Sequence, residues 1–361
     1  MSAAQAAGLG RGEEVLRLSR DVRFCVIGVG RAGMVHARNL KTEVPGARLV
    51  AVADVDPASA ARAAQELDLE RVHTDYMAAV ADEAVDAVCI ASPVFTHAQV
   101  AVAAADAGKH VFCEKPMALT LDEADSMIDA ARRAGVKLQI GFMRRFDAGF
   151  REAKRLIDEG EIGDVILVRS VGRGPGLPGD WYLSFERSNG LLAEVNSHDF
   201  DTVRWLGRGE LSRVYAEAGA FARRDLAEKH PGFFDSAVVN VRLTNGVMGT
   251  IEGTCPDNYG YDARAEILGT NGVILVGQVE ENSSVVCRKS GCVRPVVPSW
   301  QRRFKEAYID EMRHFVECIL NSTEPAVSGL DGRKALEGVL AANRSLREGA
   351  PVVLVSEAPC A

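Results

Sequence analysis

A chain of 361 residues is long for one domain and comfortable for two, and its 47% hydrophobic and 25% charged residues are typical of a globular protein. The net charge of −8 includes no basic run, which argues against nucleic acid as a partner because phosphate binding needs clustered Lys and Arg. No apolar stretch approaches the ~20 residues that span a bilayer, so we expect no membrane association.

Residues 1–20 have no continuous apolar core, which argues against a secretory signal and favours a flexible N-terminal extension. The eight cysteines form no CxxC pair, and Cys25, Cys89 and Cys113 lie in apolar strand patterns where a thiol packs as a small hydrophobe. We therefore expect a cytoplasmic protein with reduced thiols.

The first predicted strand, residues 22–28, leads directly into a GxGxxG motif, and a helical pattern follows from about residue 32 to 42. The motif alone is a weak signal, but a strand before it and a helix after it are the context that dinucleotide binding requires. The glycines permit a tight turn and close approach of a pyrophosphate, and the helix N-terminus supplies N–H donors. The residues assigned to the cofactor here are Gly28, Gly30, Arg31, Ala32 and Gly33.

The next predicted strand, residues 48–54, ends in Asp54, which lies 21 residues beyond Gly33. A carboxylate roughly 20 residues on is the group that binds a ribose 2′-hydroxyl in dinucleotide-binding domains. Asp54 and Asp56 would repel a 2′-phosphate, and no Arg follows immediately to receive one. NAD is therefore favoured over NADP, with a plain strand-end acid as the alternative interpretation.

The alternation of strands and helices continues, which predicts a parallel sheet with right-handed crossovers over residues 21–144, a doubly wound Rossmann domain. The further strands are predicted at 85–91, 109–114 and 136–141, and the helices at 96–107 and 121–134. Ligands bind outside the carboxyl ends of such strands. Cofactor candidates at these ends are Ser92, His97, Glu114 and Lys115. A solvated strand-end cation remains the alternative for Lys115, and a structural role the alternative for His97.

A second domain, predicted over residues 145–361, is of the α+β class. Its segments alternate between apolar and polar residues, and Asn-Gly turns at 245–246 and 271–272 favour an open, mostly antiparallel sheet. Helices are predicted at about 300–320 and 330–347, and we expect the second to pack back near the first domain.

Glu194 and His198 are four residues apart, so on a helix they would project from one face. An imidazole titrates near neutral pH and can transfer a proton, while a carboxylate can orient the ring or hold a substrate hydroxyl. Such a pair alone is more often a surface ion pair. A Gly/Pro-rich loop precedes it, with Asp180, Trp181 and Tyr182 as candidate substrate contacts, although a packed surface loop explains these residues equally well.

The seven histidines form no HxH or HExxH motif and the cysteines lack ligand spacing, so no metal site is predicted. His36 lies on the helix after the glycine motif and is assigned to packing.

Taken together, the motifs resemble the glucose–fructose oxidoreductase, inositol dehydrogenase and rhizopine-catabolism (Gfo/Idh/MocA) family, from residue 22 to about 345. In family order, they are Gly28-Val-Gly-Arg-Ala-Gly33, Ser92-Pro…His97, Glu114-Lys-Pro116, Gly141-Phe-Met-Arg-Arg-Phe-Asp147, His198-Asp-Phe-Asp201, Tyr259-Gly-Tyr-Asp-Ala-Arg-Ala-Glu266 and Arg303-Phe…Tyr308…Glu311. The Gly141–Asp147 and Tyr259–Asp262 motifs are most similar to those of the inositol 2-dehydrogenases.

The resemblance implies an NAD-dependent oxidoreductase that transfers hydride between nicotinamide and a secondary alcohol or ketone of a cyclic polyol (inositol, inosose or aminocyclitol) or of a pyranose sugar. It places Lys115 and His198 in the catalytic group, and Glu194 stands where the family has Asp, which fits a different polyol or ring position. Further substrate contacts are assigned to Arg144, Asn196, Tyr259 and Tyr261.

The same resemblance implies a homodimer or homotetramer built through the sheet of the second domain. Two other functions occur for this fold and stay open: a redox-neutral glycoside hydrolase that uses bound NAD transiently, and a sugar-sensing regulator without turnover.

Overall fold

The computed structural model describes residues 21–177 and 179–354, so the predicted extension at residues 1–20 lies outside the described residues. The chain divides into two compact units. Unit 1 comprises the described residues of 1–114, 126–141 and 308–329, and unit 2 those of 115–125, 142–307 and 330–361. Within residues 21–177 and 179–354, no helix is both long and apolar enough to cross a membrane.

Unit 1 contains a parallel sheet of six short, mostly buried strands. They are β1 (Val22–Ile27), β2 (Ala47–Ala53), β3 (Arg71–His73), β4 (Ala87–Ile90), β5 (His110–Glu114) and β6 (Leu138–Gly141). Their order is β3-β2-β1-β4-β5-β6, and every pairing is parallel. The doubly wound domain predicted from the alternation of strands and helices is therefore confirmed. Only the short β3 was not predicted, because it has three residues and no buried face to produce a pattern.

Five helices follow the strands of the parallel sheet. They are α1 (Arg31–Thr42), α2 (Pro57–Glu66), α3 (Tyr76–Ala81), α4 (His97–Asp106) and α5 (Leu121–Ala134). The side chain of Asp56 accepts hydrogen bonds from the first backbone N–H groups of α2, which explains why that helix begins at Pro57.

Unit 2 is built on a seven-stranded mixed sheet. Its strands are β7 (Val165–Arg173), β8 (Leu211–Gly219), β9 (Ser236–Leu243), β10 (Met248–Thr254), β11 (Asp262–Gly269), β12 (Val273–Val276) and β15 (Val352–Val353), and β13 (Val286–Arg288) and β14 (Gly291–Val293) form a separate hairpin. The order is β12-β11-β7-β10-β9-β8-β15, with β7 and β10 parallel and the other pairs antiparallel. The predicted open, mostly antiparallel sheet is confirmed.

The remaining helices are α6 (Ala148–Asp158), α7 (Phe185–Ser188), α8 (Gly190–Glu194), α9 (Ser197–Gly207), α10 (Arg224–Ala227), α11 (Trp300–Arg303), α12 (Lys305–Asn321) and α13 (Gly329–Glu348). Most of α12 belongs to unit 1, where its Met312 and Phe315 pack in the same core as Phe24 and Phe112. From Leu330 onward, helix α13 belongs to unit 2, and its expected packing near the first domain stays a prediction.

Two sequence expectations require correction. Glu194 and His198 do not share one continuous helix, because the backbone leaves helical geometry at Asn196 and a second helix begins at Ser197. Cys287 and Cys292 are not reduced thiols but form a disulfide. They occupy facing positions of the β13–β14 hairpin, which brings their Cα atoms to 4.1 Å. The expectation failed because the spacing of the two residues in sequence does not show this register.

Candidate active site

The glycine loop of unit 1 has the geometry that a bound pyrophosphate requires. Gly28 has φ +89°, which strongly favours glycine, and a Cβ at Gly33 would lie 1.8 Å from the Gly28 carbonyl oxygen. A Cβ at Gly30, by contrast, would meet no described atom within 4 Å. Helix α1 begins directly after Gly30. Because glycine has no side chain, the first N–H groups of the helix receive no hydrogen bond from the side chain of the cap residue. Gly28 and Gly33 therefore serve the fold, whereas Gly30 leaves open space beside the donor end of a helix, and the loop fits a dinucleotide phosphate.

Asp54 lies immediately after β2 and its carboxylate is held against the glycine loop. One oxygen accepts a hydrogen bond from the Val29 backbone N–H at 2.9 Å, and the other accepts one from the Asp56 N–H at the same distance. These two bonds fix the orientation of a half-buried carboxylate. The arrangement fits binding of a ribose hydroxyl.

The residues after β4 are linked to one another. Ser92 Oγ and Thr96 Oγ1 are 2.7 Å apart, and His97 Nε2 donates to the Ser92 carbonyl oxygen at 2.7 Å. His97 is buried, with only 2% of its surface exposed. Its ring therefore supports the backbone at Ser92, the structural alternative that the sequence left open.

Glu114, predicted to contact the cofactor, instead directs its carboxylate into the interior of unit 1. His36 Nε2 of α1 lies 2.7 Å from Glu114 Oε1, and both side chains are buried. The assignment of His36 to packing was thus incomplete, because its ring also makes a polar contact with the end of β5.

In unit 2, Lys115 is hydrogen-bonded to the backbone of α8. Its Nζ donates to the Glu194 carbonyl oxygen at 2.6 Å, and the Lys115–Pro116 peptide is cis. The structure therefore brings Lys115 next to α8. The contact uses the main chain of Glu194, a detail that no side-chain motif could indicate.

His198, at the start of α9, is a buried imidazole that its surroundings keep uncharged. Only 5% of its surface is exposed, and its ring meets Phe142 edge to face at 5.8 Å. Burial, together with the positive charges of Lys115 and Arg144, lowers the pKa of His198 well below its usual value. Its Nδ1 has no hydrogen-bond partner within residues 21–177 and 179–354. An uncharged imidazole with an unpaired buried nitrogen is suited to accept a proton.

Arg144 and Asn196, both predicted substrate contacts, are braced by one carboxylate on α9. Arg144 donates to Asp199 at 2.6 Å, and Ser170 of β7 donates to the same carboxylate oxygen at 2.6 Å. Asn196 donates to the other oxygen of Asp199 at 2.8 Å. All four side chains are buried. This network fixes the turn that carries His198, so Arg144 and Asn196 hold the site in shape whether or not they also contact substrate.

Two paired glycines of the sheet make room for that network and were not identified from the sequence. Gly172 of β7 and Gly253 of β10 lie side by side in the parallel register. A Cβ at Gly172 would lie 2.3 Å from Asp199 Oδ2, and one at Gly253 would lie 1.9 Å from Asn196 Oδ1. Glycine in a strand often marks such a close approach, which is the signal that could have indicated them.

The other predicted substrate residues are placed less uniformly. Asp180 is exposed and Trp181 half-buried at the start of a short 3-10 helix. Tyr259 is 39% exposed and donates to Asp262 at 2.7 Å, whereas Tyr261 packs edge to face against Phe304. None of these observations places Tyr259 or Asp180 beside His198.

Tyr182, next to Trp181, has the stronger case for contact with a ligand. Its side chain is buried, and its hydroxyl has no hydrogen-bond partner in the part of the chain that the structure describes. Burial, with the nearby Cys255 and Glu194, raises the pKa of Tyr182 well above its usual value. The hydroxyl is therefore a neutral donor close to Glu194 that a substrate hydroxyl can satisfy.

Comparison with known proteins agrees with both units. The family model described as the oxidoreductase family with an NAD-binding Rossmann fold (Gfo/Idh/MocA) matches residues 22–142, and the Gfo/Idh/MocA C-terminal domain matches residues 150–275. The scyllo-inositol 2-dehydrogenase (NAD(+)) of Bacillus subtilis is 36% identical over 337 residues, covering 93% of this chain and 97% of that protein. The myo-inositol 2-dehydrogenase of Thermotoga maritima is 34% identical, covering 92% and 98%.

Solved structures show the same similarity. The scyllo-inositol dehydrogenase of Lactobacillus casei, crystallised with NAD(H) and scyllo-inositol, superposes with a TM-score of 0.87 at 32% identity. The match covers 92% of this chain and 99% of that one.

Proposed function

Because the chain belongs to the Gfo/Idh/MocA family of oxidoreductases, we propose that it catalyses NAD-dependent oxidation of a secondary hydroxyl on an inositol-like ring, and the reverse reduction. The observation that carries the proposal is the buried His198, kept uncharged and adjoining the segment to which Lys115 is hydrogen-bonded. Alcohol oxidation needs a base for the hydroxyl proton and a donor for the oxygen, and these two residues supply them.

In the proposed reaction, His198 removes the proton from the substrate hydroxyl. Lys115 donates a hydrogen bond to the same oxygen and stabilises the negative charge that develops there. The hydrogen bond from Lys115 to the Glu194 carbonyl restricts the long side chain, so less rotational freedom is lost when substrate binds. In the reduction direction a protonated His198 returns the proton to the oxygen, while Lys115 keeps its hydrogen bond to that oxygen.

Bound NAD would supply the acceptor for the hydride of the ring carbon. Gly28, Gly30 and Gly33 would hold its pyrophosphate, and Asp54 its adenosine ribose. The Asp54 carboxylate and the absence of a following Arg in the sequence support NAD over NADP.

Inositol isomers are the proposed substrate class because the relatives from B. subtilis and T. maritima are inositol 2-dehydrogenases. Glu194 and the buried hydroxyl of Tyr182 are proposed to hold ring hydroxyls other than the one oxidised. A Glu in place of the family's Asp moves the carboxylate by roughly 1 Å, a distance that can alter catalysis greatly. We therefore expect the preferred isomer or ring position to depend on Glu194.

Assembly into a homodimer or homotetramer is proposed to use the sheet of unit 2. The support is a set of exposed apolar residues on the face opposite its buried side: Val238, Met248, Leu268, Val273 and Leu275. The cytoplasmic location predicted from the sequence stays a prediction.

A dehydrogenase screen tests the proposal directly. The full chain is assayed with NAD and NADP in parallel over inositol isomers, aminocyclitols and pyranoses, with NADH absorbance as the readout. We expect NADH formation with at least one cyclitol and a preference for NAD over NADP of about 10-fold or more. A hydrolysed glycoside without net NADH would indicate the glycoside hydrolase alternative, and sugar binding without turnover would indicate a regulator. Either result would contradict the proposal.

A further inference from the structure

A buried polar cluster in unit 1 takes no part in the chemistry described above. It consists of His36 on α1, Glu114 at the end of β5 and Glu311 on α12. One potential ligand atom from each side chain lies within 4.8 Å of the other two, and the three residues are 0%, 6% and 0% exposed. Three titratable side chains from three different elements therefore share one site without access to solvent.

The surroundings of the cluster are tightly packed. The ring of His36 meets Phe112 and Tyr308 edge to face, at 5.0 and 5.5 Å between centroids. A Cβ at Gly141 would lie 3.2 Å from Glu114 Cδ, so the glycine leaves space for the carboxylate. The backbone carbonyl of Glu311 accepts a hydrogen bond from Gln139 at 3.0 Å, which fixes its helix turn. This packing leaves the three side chains little room to move apart.

Within this cluster, the carboxyl group of Glu311 is the unusual member. Neither of its oxygens has a hydrogen-bond partner among the described residues, although both are buried. Two buried carboxylates this close cannot both be ionised without a compensating cation. Burial and the charge of Glu114 raise the pKa of Glu311 well above its usual value, in agreement with a neutral acid.

Either a metal ion or a proton would balance the charge, and the geometry distinguishes them. His36 Nε2 and Glu114 Oε1 are 2.7 Å apart, which is a hydrogen-bond distance. Two ligands of a tetrahedral zinc ion, each about 2.1 Å from the metal, would lie roughly 3.4 Å apart. The His36–Glu114 contact therefore already contains a proton and leaves no position for a metal between the two atoms.

We propose that Glu311 is a positioning residue whose neutral carboxyl group, within 4.8 Å of His36 and Glu114, supplies the proton that the two acids share, so that the three side chains together hold α1 at the end of β5. Helix α1 presents its first N–H groups toward the open space at Gly30. Its orientation therefore sets how well those donors meet a pyrophosphate. The inference rests on the proposed function in assigning a dinucleotide to that space.

The test compares Glu311→Gln, which keeps a neutral hydrogen-bond donor of the same size, with Glu311→Leu, which removes it. The matched control is Glu317→Leu, the same change at an exposed position of the same helix. The dissociation constant for NAD is measured by titration calorimetry, and thermal unfolding is recorded for each variant. We expect the constant to rise about tenfold in Glu311→Leu and to stay within about twofold in Glu311→Gln and Glu317→Leu.

Infrared difference spectra of the wild type and Glu311→Gln provide a readout independent of binding. The carbonyl band of a protonated carboxylic acid should be present in the wild type at neutral pH and absent from the variant. The metal content of the purified protein is measured as well, and we expect no stoichiometric metal.

The outcomes separate the inference from the proposed function. Three results would contradict a neutral Glu311: NAD binding weakened equally in Glu311→Gln and Glu311→Leu, no band of a protonated acid, or a metal ion bound in stoichiometric amount. Lower thermal stability in Glu311→Leu with an unchanged dissociation constant would show a purely structural role and overturn the positioning. Failure of the wild type to bind any dinucleotide would overturn the proposed function and the binding role of Glu311 together, whereas the infrared band would be unaffected.

Discussion

The glycine loop of unit 1 and the proposed catalytic segment of unit 2, residues 194–199, are built in opposite ways. The loop depends on glycines, which have no Cβ: Gly28 and Gly33 allow a close backbone contact, and Gly30 leaves open space. The catalytic segment depends on side chains that are buried and charged: Arg144 pairs with Asp199, and His198 is kept neutral beside them. One site is therefore defined by backbone geometry and the other by electrostatics.

This difference determines how each site should fail. A backbone site tolerates most substitutions around it but not an added Cβ at the positions that need glycine. A site made of buried charges can keep its fold and lose its chemistry when one group is removed, and removing a partner leaves another charge uncompensated. Substitutions in the two units should thus affect turnover and cofactor affinity separately.

The largest effect is expected when the catalytic pair is removed. His198→Ala deletes the proposed base and Lys115→Met the donor to the reacting oxygen, and each should lower kcat by about 10³-fold. The dissociation constant for NAD should change by less than about twofold, because the glycine loop is untouched. Steady-state kinetics and dinucleotide titration measure the two quantities. Lys229→Met, the same substitution at an exposed position, is the control. A kcat near the wild-type value in either catalytic variant would refute the assigned role.

An intermediate effect is expected at the two glycines that lie three residues apart. Gly33→Ala places a Cβ 1.8 Å from a backbone oxygen, so it should destabilise the fold by about 1–3 kcal/mol. Gly30→Ala meets no described atom within 4 Å and has an ordinary φ of −71°, so its stability should be preserved. It should nevertheless weaken NAD binding about tenfold or more, because the methyl group occupies the approach of the pyrophosphate.

Thermal unfolding and calorimetric titration of the two glycine variants separate these effects. Wild-type NAD affinity in a stable Gly30→Ala variant would show that the dinucleotide does not approach at this position. Equal loss of stability in both variants would show that Gly30 also serves the fold.

Unit 1 could be predicted almost completely from the sequence because its signals are local. A strand, three glycines and an acid after the next strand fall within 33 residues, from Val22 to Asp54, and each was found where the pattern placed it. Parallel strands with both faces buried also give continuous apolar runs that are easy to recognise. The exceptions are β3, which is too short to give a pattern, α12, which joins unit 1 from a distant part of the chain, and Glu114, whose direction depends on His36.

For the site of unit 2, the sequence could predict which residues belong to it but not how they are arranged. Lys115 and His198 stand out by residue type and motif, but their states depend on groups distant in the chain. The partner of Lys115 is a backbone oxygen 79 residues away, and Asp199 joins Arg144 and Ser170 from two other segments. The glycine pair at 172 and 253 carries a signal only when the register of β7 and β10 is known. Burial and register come from tertiary structure, which a single sequence does not display.

The smallest predicted effect concerns the protonation of His198. It tests whether neighbouring charges, and not only burial, lower the pKa of the ring. Its lowered pKa keeps the ring neutral at pH 6.5, where half of an exposed histidine would be charged. The rate of oxidation, as kcat/KM, should therefore stay constant as the pH falls through 6.5 and decrease only at lower pH. The same sign holds for folding: the stability that comes from a neutral imidazole is present above pH 6.5 and is lost as the pH falls toward the lowered pKa.

Lys115→Met separates the contribution of Lys115 to the lowered pKa of His198 from those of burial and Arg144. Burial is the larger cause and the charge of Lys115 the next, so removing the lysine should raise the pKa of His198 but leave it below that of an exposed histidine. NMR titration of the ring, assigned by its loss in His198→Ala, measures the value in the wild type, in Lys115→Met and in the Lys229→Met control. A value that does not move in Lys115→Met would mean that the two groups do not interact, and burial and the charge of Arg144 would then account for the lowered pKa of His198.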